Sequence, residues 1–143
     1  IIGYQGVAGH AFTGIGDDVY GYFARAVLTQ ELSAVTAACL LTKRSVFEEV
    51  DKLDETFEVA FNDIDYCMKV RKAGYKVMYE PHAKLHHYEY KSRGAEDTGS
   101  KQERFGGEIM HFIDKWRPEL IKGDPYYNPN LELVGELYTI KKC

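Results

Sequence analysis

Asp63 and Asp65 stand at the head of an amphipathic run, FNDIDYCMKVRKAG. A strand-like stretch, YKVMYEP, follows, and then a histidine pair, His86 and His87. A carboxylate in such a place can accept a proton from a hydroxyl or cap a helix, and a histidine beside carboxylates can bind a divalent ion. On a helix, positions two apart point roughly 200° from one another, so two helical aspartates at this spacing cannot share one site. With Asn62 as N-cap, Asp65 is expected to reach back to the backbone as the acidic partner of a capping box. Asp63 then sits at the helix start, where the helix dipole favours its negative charge and its side chain is free to act as a base. On local pattern alone, plain capping by both residues is the simpler account.

Strand side chains alternate, so only one of His86 and His87 can face a site shared with Asp63. One histidine does not complete a metal site, and by itself each reads as a structural residue. In KSRG, Arg93 lies beside Gly94 in a polar loop from which its planar fork can reach a phosphate, though alone it reads as a solvated arginine. No nucleophile elbow and no cysteine–histidine pair with an orienting partner is present, which leaves a nucleophilic hydrolase unsupported.

These residues need elements to hold them. The helix is expected from about 62 to 73, with Ile64, Cys67 and Met68 on one face and Gly74 as its C-terminal cap. Upstream, VTAACLLT at 35–42 reads as a buried strand. Ser45 and Glu48 then have the spacing of a capping box for a short helix ending near Val50. YKVMYEP reads as a strand stopped by Pro81, and AKLHHYEY as another short strand. Ser100 and Glu103 open a second capping box. Phe105, Ile109, Phe112, Ile113 and Trp116 recur behind it at helical spacing, with Pro118 as the expected stop. The glycine-rich beginning reads as a short strand and loop, a short helix is expected within 19–33, and GDPYYNPN reads as turns. Alternating helices and strands place the chain in the α/β or α+β class.

The 143 residues suggest one domain, and the net charge of −4 gives no basic footprint for nucleic acid. Cys39, Cys67 and Cys143 form neither a disulfide framework nor a CxxC pattern, and Cys39 and Cys67 read as small core residues of a reducing, cytosolic compartment. No run approaches a membrane span, and no signal-peptide pattern is present. The chain opens on Ile1 rather than Met and is expected to be a fragment of something longer.

In order along the chain, VTAACLLTKRSVFEEV, LDETFEVAFNDIDYCMKVRKAGYKVMYEP and AKLHHYEYKSRG resemble the C-terminal half of family 2 glycosyltransferases, the inverting GT-A enzymes. The likeness is strongest from 33 to 94 and points to bacterial enzymes that build rhamnose-containing or O-antigen-type polysaccharides. It implies the C-terminal portion of a GT-A fold, a mixed sheet flanked by helices, with the nucleotide-binding half absent. It divides the chain into a part at 1–95 carrying the base and acceptor region and a C-terminal helix and tail at 96–143.

It also implies roles. Asn62-Asp63 matches the family's acidic motif, which makes Asp63 the catalytic base; Asp65 matches a second acidic, substrate-binding position. His87 matches a metal ligand. Ser92, Arg93 and Gly94 match a loop expected to close over the diphosphate, and Thr36 belongs to the acceptor floor. The implied partners are a nucleotide-diphosphate sugar and a saccharide or lipid-linked saccharide acceptor, with Mg²⁺ or Mn²⁺ as cofactor. The reaction would run on the cytoplasmic side, at the inner face of the membrane. The family's Asp-x-Asp half and its processive Gln-x-x-Arg-Trp signature have no match here. Self-association through the surface left by the missing half is therefore expected. A non-catalytic carbohydrate-binding or assembly module of the same fold stands as the alternative. A metal-dependent hydrolase built on Asp63 and His87 would need further converging ligands.

Overall fold

A computed structural model describes residues 1–88, 99–135 and 137–142. Ser92, Arg93, Gly94 and Cys143 lie outside the described residues.

The chain is a mixed α/β arrangement organised around one helix. Its strands and α-helices, among the described residues, are β1 (Gln30–Glu31), α1 (Arg44–Glu49), α2 (Asn62–Lys72), β2 (Met78–Tyr79) and α3 (Gly99–Lys122). The helix α2 is the pillar. Asp65, Tyr66, Cys67, Met68 and Val70 are all buried on it. On one side Tyr66, Cys67 and Val70 pack with Val46 and Val50 of the α1 region and with Val77. On the other, Met68 packs with Ile2, Phe57, Phe112 and Trp116. Cys67 and Met68 therefore serve opposite cores, and only Ile64 joins Met68 as the face expected from the sequence. Adjacent helical positions diverge by roughly 100°, which a helix buried on two sides can use fully.

The C-terminal end of α2 follows its sequence. Gly74 takes φ +88°, a left-handed conformation that costs glycine no Cβ clash. The Gly74 N–H donates to the Arg71 carbonyl at 2.9 Å and the Tyr75 N–H to that of Val70 at 3.1 Å, a Schellman closure. The beginning differs from expectation. The N-cap is Phe61, at φ 64°, without a side-chain cap bond, and not Asn62.

Several expected elements are replaced. The mixed sheet reduces to an antiparallel ribbon that pairs Gln30 with Tyr79 and Glu31 with Met78. Residues 35–42 do not form a buried strand; Ala37–Cys39 is an exposed 3₁₀ turn with Thr36 as its cap. An apolar run becomes a strand only where a neighbour takes its backbone hydrogen bonds, and no strand lies beside this run among the described residues. Cys39 is consequently exposed. Residues 84–88 are likewise exposed and do not form a strand.

Ser45 does not cap α1, whose N-cap is Lys43; Glu48 instead pairs with Arg44 at 2.8 Å, one turn away. The first expected helix within 19–33 is only a 3₁₀ turn at Tyr22–Ala24. Ser100 lies inside α3, and Pro118 does not stop that helix. Pro118 lacks the N–H that would bond one turn back, and the helix accommodates it through a kink at Trp116 (φ −113°, ψ 15°).

Burial separates the two described cysteines. The Cys67 thiol is enclosed and donates to the Val35 carbonyl at 3.6 Å, and burial pushes its pKa up to about 11. Since the thiolate is the reactive form, an alkylating reagent at neutral pH is expected to label Cys39 rapidly and Cys67 only after denaturation. Peptide mapping after timed labelling checks this; rapid native labelling of Cys67 would contradict the packing.

Candidate active site at the N-terminus of α2

The side chain of Asp63 is half-buried in the first turn of α2. One carboxylate oxygen, Oδ2, accepts the Ala37 N–H at 3.0 Å; the other, Oδ1, accepts the Ile64 N–H at 2.8 Å. The carboxylate is thus tethered to the exposed turn capped by Thr36, whose hydroxyl oxygen accepts the Ala38 N–H at 3.4 Å. The turn is held from beneath by Cys67, through Val35. Ser33, just before it, donates to Asp124 Oδ1, and Asp124 also accepts the N–H groups of Ile2 and Tyr126. A carboxylate offers about four acceptor positions. Two are used by backbone donors, which fixes the orientation of Asp63 and leaves lone pairs for a hydroxyl proton.

Asp65 does something else. It is 0 % exposed, turned inward rather than toward the surface where a substrate-binding role was expected. Its carboxylate faces Trp116 and two lysines instead of reaching back to the backbone as a capping box requires. Its Oδ1 accepts the Trp116 indole N–H at 2.8 Å and lies 2.7 Å from the Lys115 ammonium. Its Oδ2 lies 3.5 Å from the Lys69 ammonium. Lys69 also donates to the carbonyls of Asp51 and Lys52, at 3.3 and 2.7 Å, closing the turn behind α1. Lys115 in turn donates to Asp54 Oδ2 at 2.6 Å, and Asp54 Oδ1 accepts both the N–H and the hydroxyl of Thr56. Asp65 is therefore the hub joining α2 to α3 and, through lysines, to the loop at 51–56.

Charge follows geometry. Hydrogen bonds from Lys115 and then Thr56 hold the Asp54 carboxyl well below the usual carboxylate range. Partial burial opposes the Lys115 charge, but the bonds to Asp54 and Asp65 outweigh it and raise the ammonium pKa. A lowered carboxyl pKa contributes stability above its unfolded value, and that contribution is lost as pH falls through the folded one. A raised ammonium contributes below its unfolded value and loses that contribution only in strong alkali. The urea midpoint of the chain is thus expected to fall below about pH 4, where free aspartate protonates, and Asp54→Asn should flatten that fall. A pH series of urea melts of both proteins checks it; parallel acid profiles would remove Asp54 from the linkage.

Glu108 completes the frame. Only 4 % exposed, it accepts the Val59 N–H through Oε1 at 3.0 Å and the Ala60 N–H through Oε2 at 2.9 Å. The structure thus brings Asp63 and Thr36 together and sends Asp65 inward. His87 and His86 are both exposed, and among the described residues no hydrogen bond or ion pair joins either to Asp63. No group of three or more His, Cys, Asp or Glu side chains converges to hold a metal ion among the described residues. The described side chains therefore do not fit a complete divalent-cation site. Glu108 and Lys115 were the participants that sequence reasoning missed. Their one available signal was the i, i+4, i+7, i+8 spacing with Phe112 and Trp116, which places charged residues on the buried stripe of α3.

Comparison with known proteins places these residues in context. The chain is 48 % identical over 134 residues, 93 % of its length, to a protein of Sinorhizobium fredii named only as uncharacterized protein y4gI, of which it covers 15 %. It is 31 % identical over 137 residues, 94 % of its length, to the O-antigen biosynthesis protein RfbC of Myxococcus xanthus, of which it covers 10 %. Over 90 residues, 60 % of its length, it is 32 % identical to the N-acetylglucosaminyl-diphospho-decaprenol L-rhamnosyltransferase of Mycobacterium tuberculosis, of which it covers 29 %. No protein-family model and no solved structure matches the chain. The chain spans less than a third of the length of these curated relatives. It is similar along nearly all its length to part of a protein named for O-antigen biosynthesis, and over a shorter stretch to part of a named rhamnosyltransferase.

Proposed function

We propose that this chain is the acceptor-side, base-bearing part of an inverting family 2 glycosyltransferase with a GT-A fold. In this reading it moves a sugar from a nucleotide-diphosphate donor to a saccharide or lipid-linked saccharide during cell-surface polysaccharide synthesis. The observation that carries the reading is Asp63: a carboxylate oriented by two backbone N–H groups at a helix start, beside the exposed Thr36 turn. The similarity to proteins named for O-antigen biosynthesis and rhamnosyl transfer supports it.

In the reaction, Asp63 takes the proton of the acceptor hydroxyl. The freed oxygen pair forms the bond to the anomeric carbon from the face opposite the leaving group. The bond from that carbon to the phosphate oxygen breaks, and its electron pair departs on the nucleoside diphosphate. The backbone bonds to Asp63 supply pre-orientation, so little reorganisation is needed as the proton moves. Thr36 lines the acceptor approach, and Ser92 and Arg93 are assigned to the diphosphate. Any divalent cation would need ligands beyond the described residues, with His87 as one contributor, and no step is derived through it. The test is sugar transfer by the longest natural polypeptide that carries these residues, compared with its Asp63→Asn variant. Loss of transfer in that variant, with the fold retained, is the supporting result.

No helix among the described residues is long and apolar enough to cross a membrane. If the donor-binding groups lie elsewhere, the 143 residues alone are expected to show no heat of binding with a nucleotide-diphosphate sugar and Mn²⁺. Micromolar binding by titration calorimetry would place the donor site within this chain.

A further inference from the structure

We infer that Glu108 is a positioning residue for Asp63, acting through the strained entry to α2; this rests on the reading of Asp63 as the base. Glu108 is a buried carboxylate whose two oxygens each hold one of two successive backbone N–H groups, those of Val59 and Ala60. A buried charge is costly unless satisfied in this way, so the pair of bonds fixes the loop tightly. The next residue, Phe61, has φ 64°. A left-handed conformation is a genuine strain for a bulky aromatic residue and persists only where its surroundings over-determine it.

Those surroundings come from the same face of α3. The Phe61 ring stacks on Phe112, with centroids 5.1 Å apart, and on Phe105 at 5.9 Å. Its carbonyl accepts the Asp65 N–H at 2.8 Å, opening the hydrogen-bonded turn that contains Asp63. Beyond Asp63, Asp65 is seized by Lys115 and Trp116. The face of α3 running from Phe105 through Glu108 and Phe112 to Trp116 thus grips the chain on both sides of Asp63, while the carboxylate of Asp63 itself is bonded to the N–H groups of Ala37 and Ile64. Glu108 sets where α2 begins; the Ala37 bond then sets where its first carboxylate points.

Glu108→Gln keeps the side-chain shape but turns an amide NH₂ toward one of the two N–H donors. In the longest natural polypeptide carrying the chain, it is expected to lower kcat about 10²-fold, the scale of a roughly 1 Å misplacement, and to leave the acceptor KM within about threefold. In an Asp63→Asn background the same change should add little, because Glu108 acts through Asp63. Hydrogen–deuterium exchange should quicken in peptides covering 59–64 and 36–38 and remain unchanged in the rest of α2. Equal losses in both backgrounds, an unchanged kcat, or unchanged exchange at 36–38 would overturn the inference. If Asp63→Asn itself transfers sugar normally, the base reading fails separately, and the exchange at 36–38 alone decides whether Glu108 positions this carboxylate. Glu108→Asp, which can still hold one of the two N–H groups, serves if the glutamine variant does not fold, with an intermediate loss of kcat and partly quickened exchange expected.

Discussion

Asp63→Asn, in the longest natural polypeptide that contains these residues, is expected to reduce sugar transfer by about 10²–10⁴-fold, the usual contribution of a positioned general base. The substitution is nearly isosteric. The amide oxygen can still accept from either Ala37 or Ile64, but the NH₂ group must face the other N–H donor. That conflict should cost about 1 kcal/mol, the scale of one hydrogen bond at a partly exposed site. The chemical loss therefore exceeds the structural one, and the two are separable. Initial rates with saturating donor and acceptor report the first, and thermal melting reports the second. An asparagine variant that keeps its fold and transfers sugar near the normal rate would remove Asp63 from the chemistry. The same variant also decides against a non-catalytic carbohydrate-binding module, in which no turnover would depend on this carboxylate.

Asp65→Ala is expected to be the most destabilising single change at this helix, by about 3–5 kcal/mol. It removes the acceptor of a buried indole N–H and one of the two anions facing the partly exposed Lys115, and it empties the fully buried space of the Asp65 carboxylate. A single domain is stable by about 5–15 kcal/mol, so much of the total is at stake. Asp65→Asn should cost less, since an amide oxygen still serves Trp116 while Lys115 keeps Asp54. In a cycle with Lys115→Met, the second substitution should cost less than it does alone, because the ammonium no longer needs its partner. Urea denaturation of the four proteins measures these differences. A loss of under about 1 kcal/mol for Asp65→Ala would show that the network is not a major support of the fold.

The contrast between these two aspartates shows how far the sequence could be read. The position of α2, its glycine closure and the split between Asp63 and Asp65 followed from helical periodicity and from residues within a few positions of one another. The amphipathic stripe of α3 was legible for the same reason, although a kink absorbed the proline taken as its stop. The strands were read unevenly: YKVMYEP does hold β2, at Met78–Tyr79, but the runs at 35–42 and 83–88 are not strands. The run at 35–42 is apolar enough for a strand, but whether it pairs depends on what lies beside it, which its own residues do not encode. The alternation assigned to His86 and His87 went with them, because it required a strand that the described residues do not form.

By itself, then, the sequence determined the helix that carries the site and the end from which Asp63 projects, both of which rest on local spacing, and it carried a family resemblance, which rests on the ordered motifs from 35 to 94. Only the tertiary structure decided that Asp65 faces inward to Trp116, fifty-one positions along the chain. It alone showed that Glu108 holds the loop before α2 from forty-eight and forty-nine positions away. It also replaced the expected strand with a turn that orients Asp63. The physical reason is common to all three. A buried polar group must be satisfied by whichever partner the packed chain brings within about 3 Å, and periodicity carries no record of distant partners.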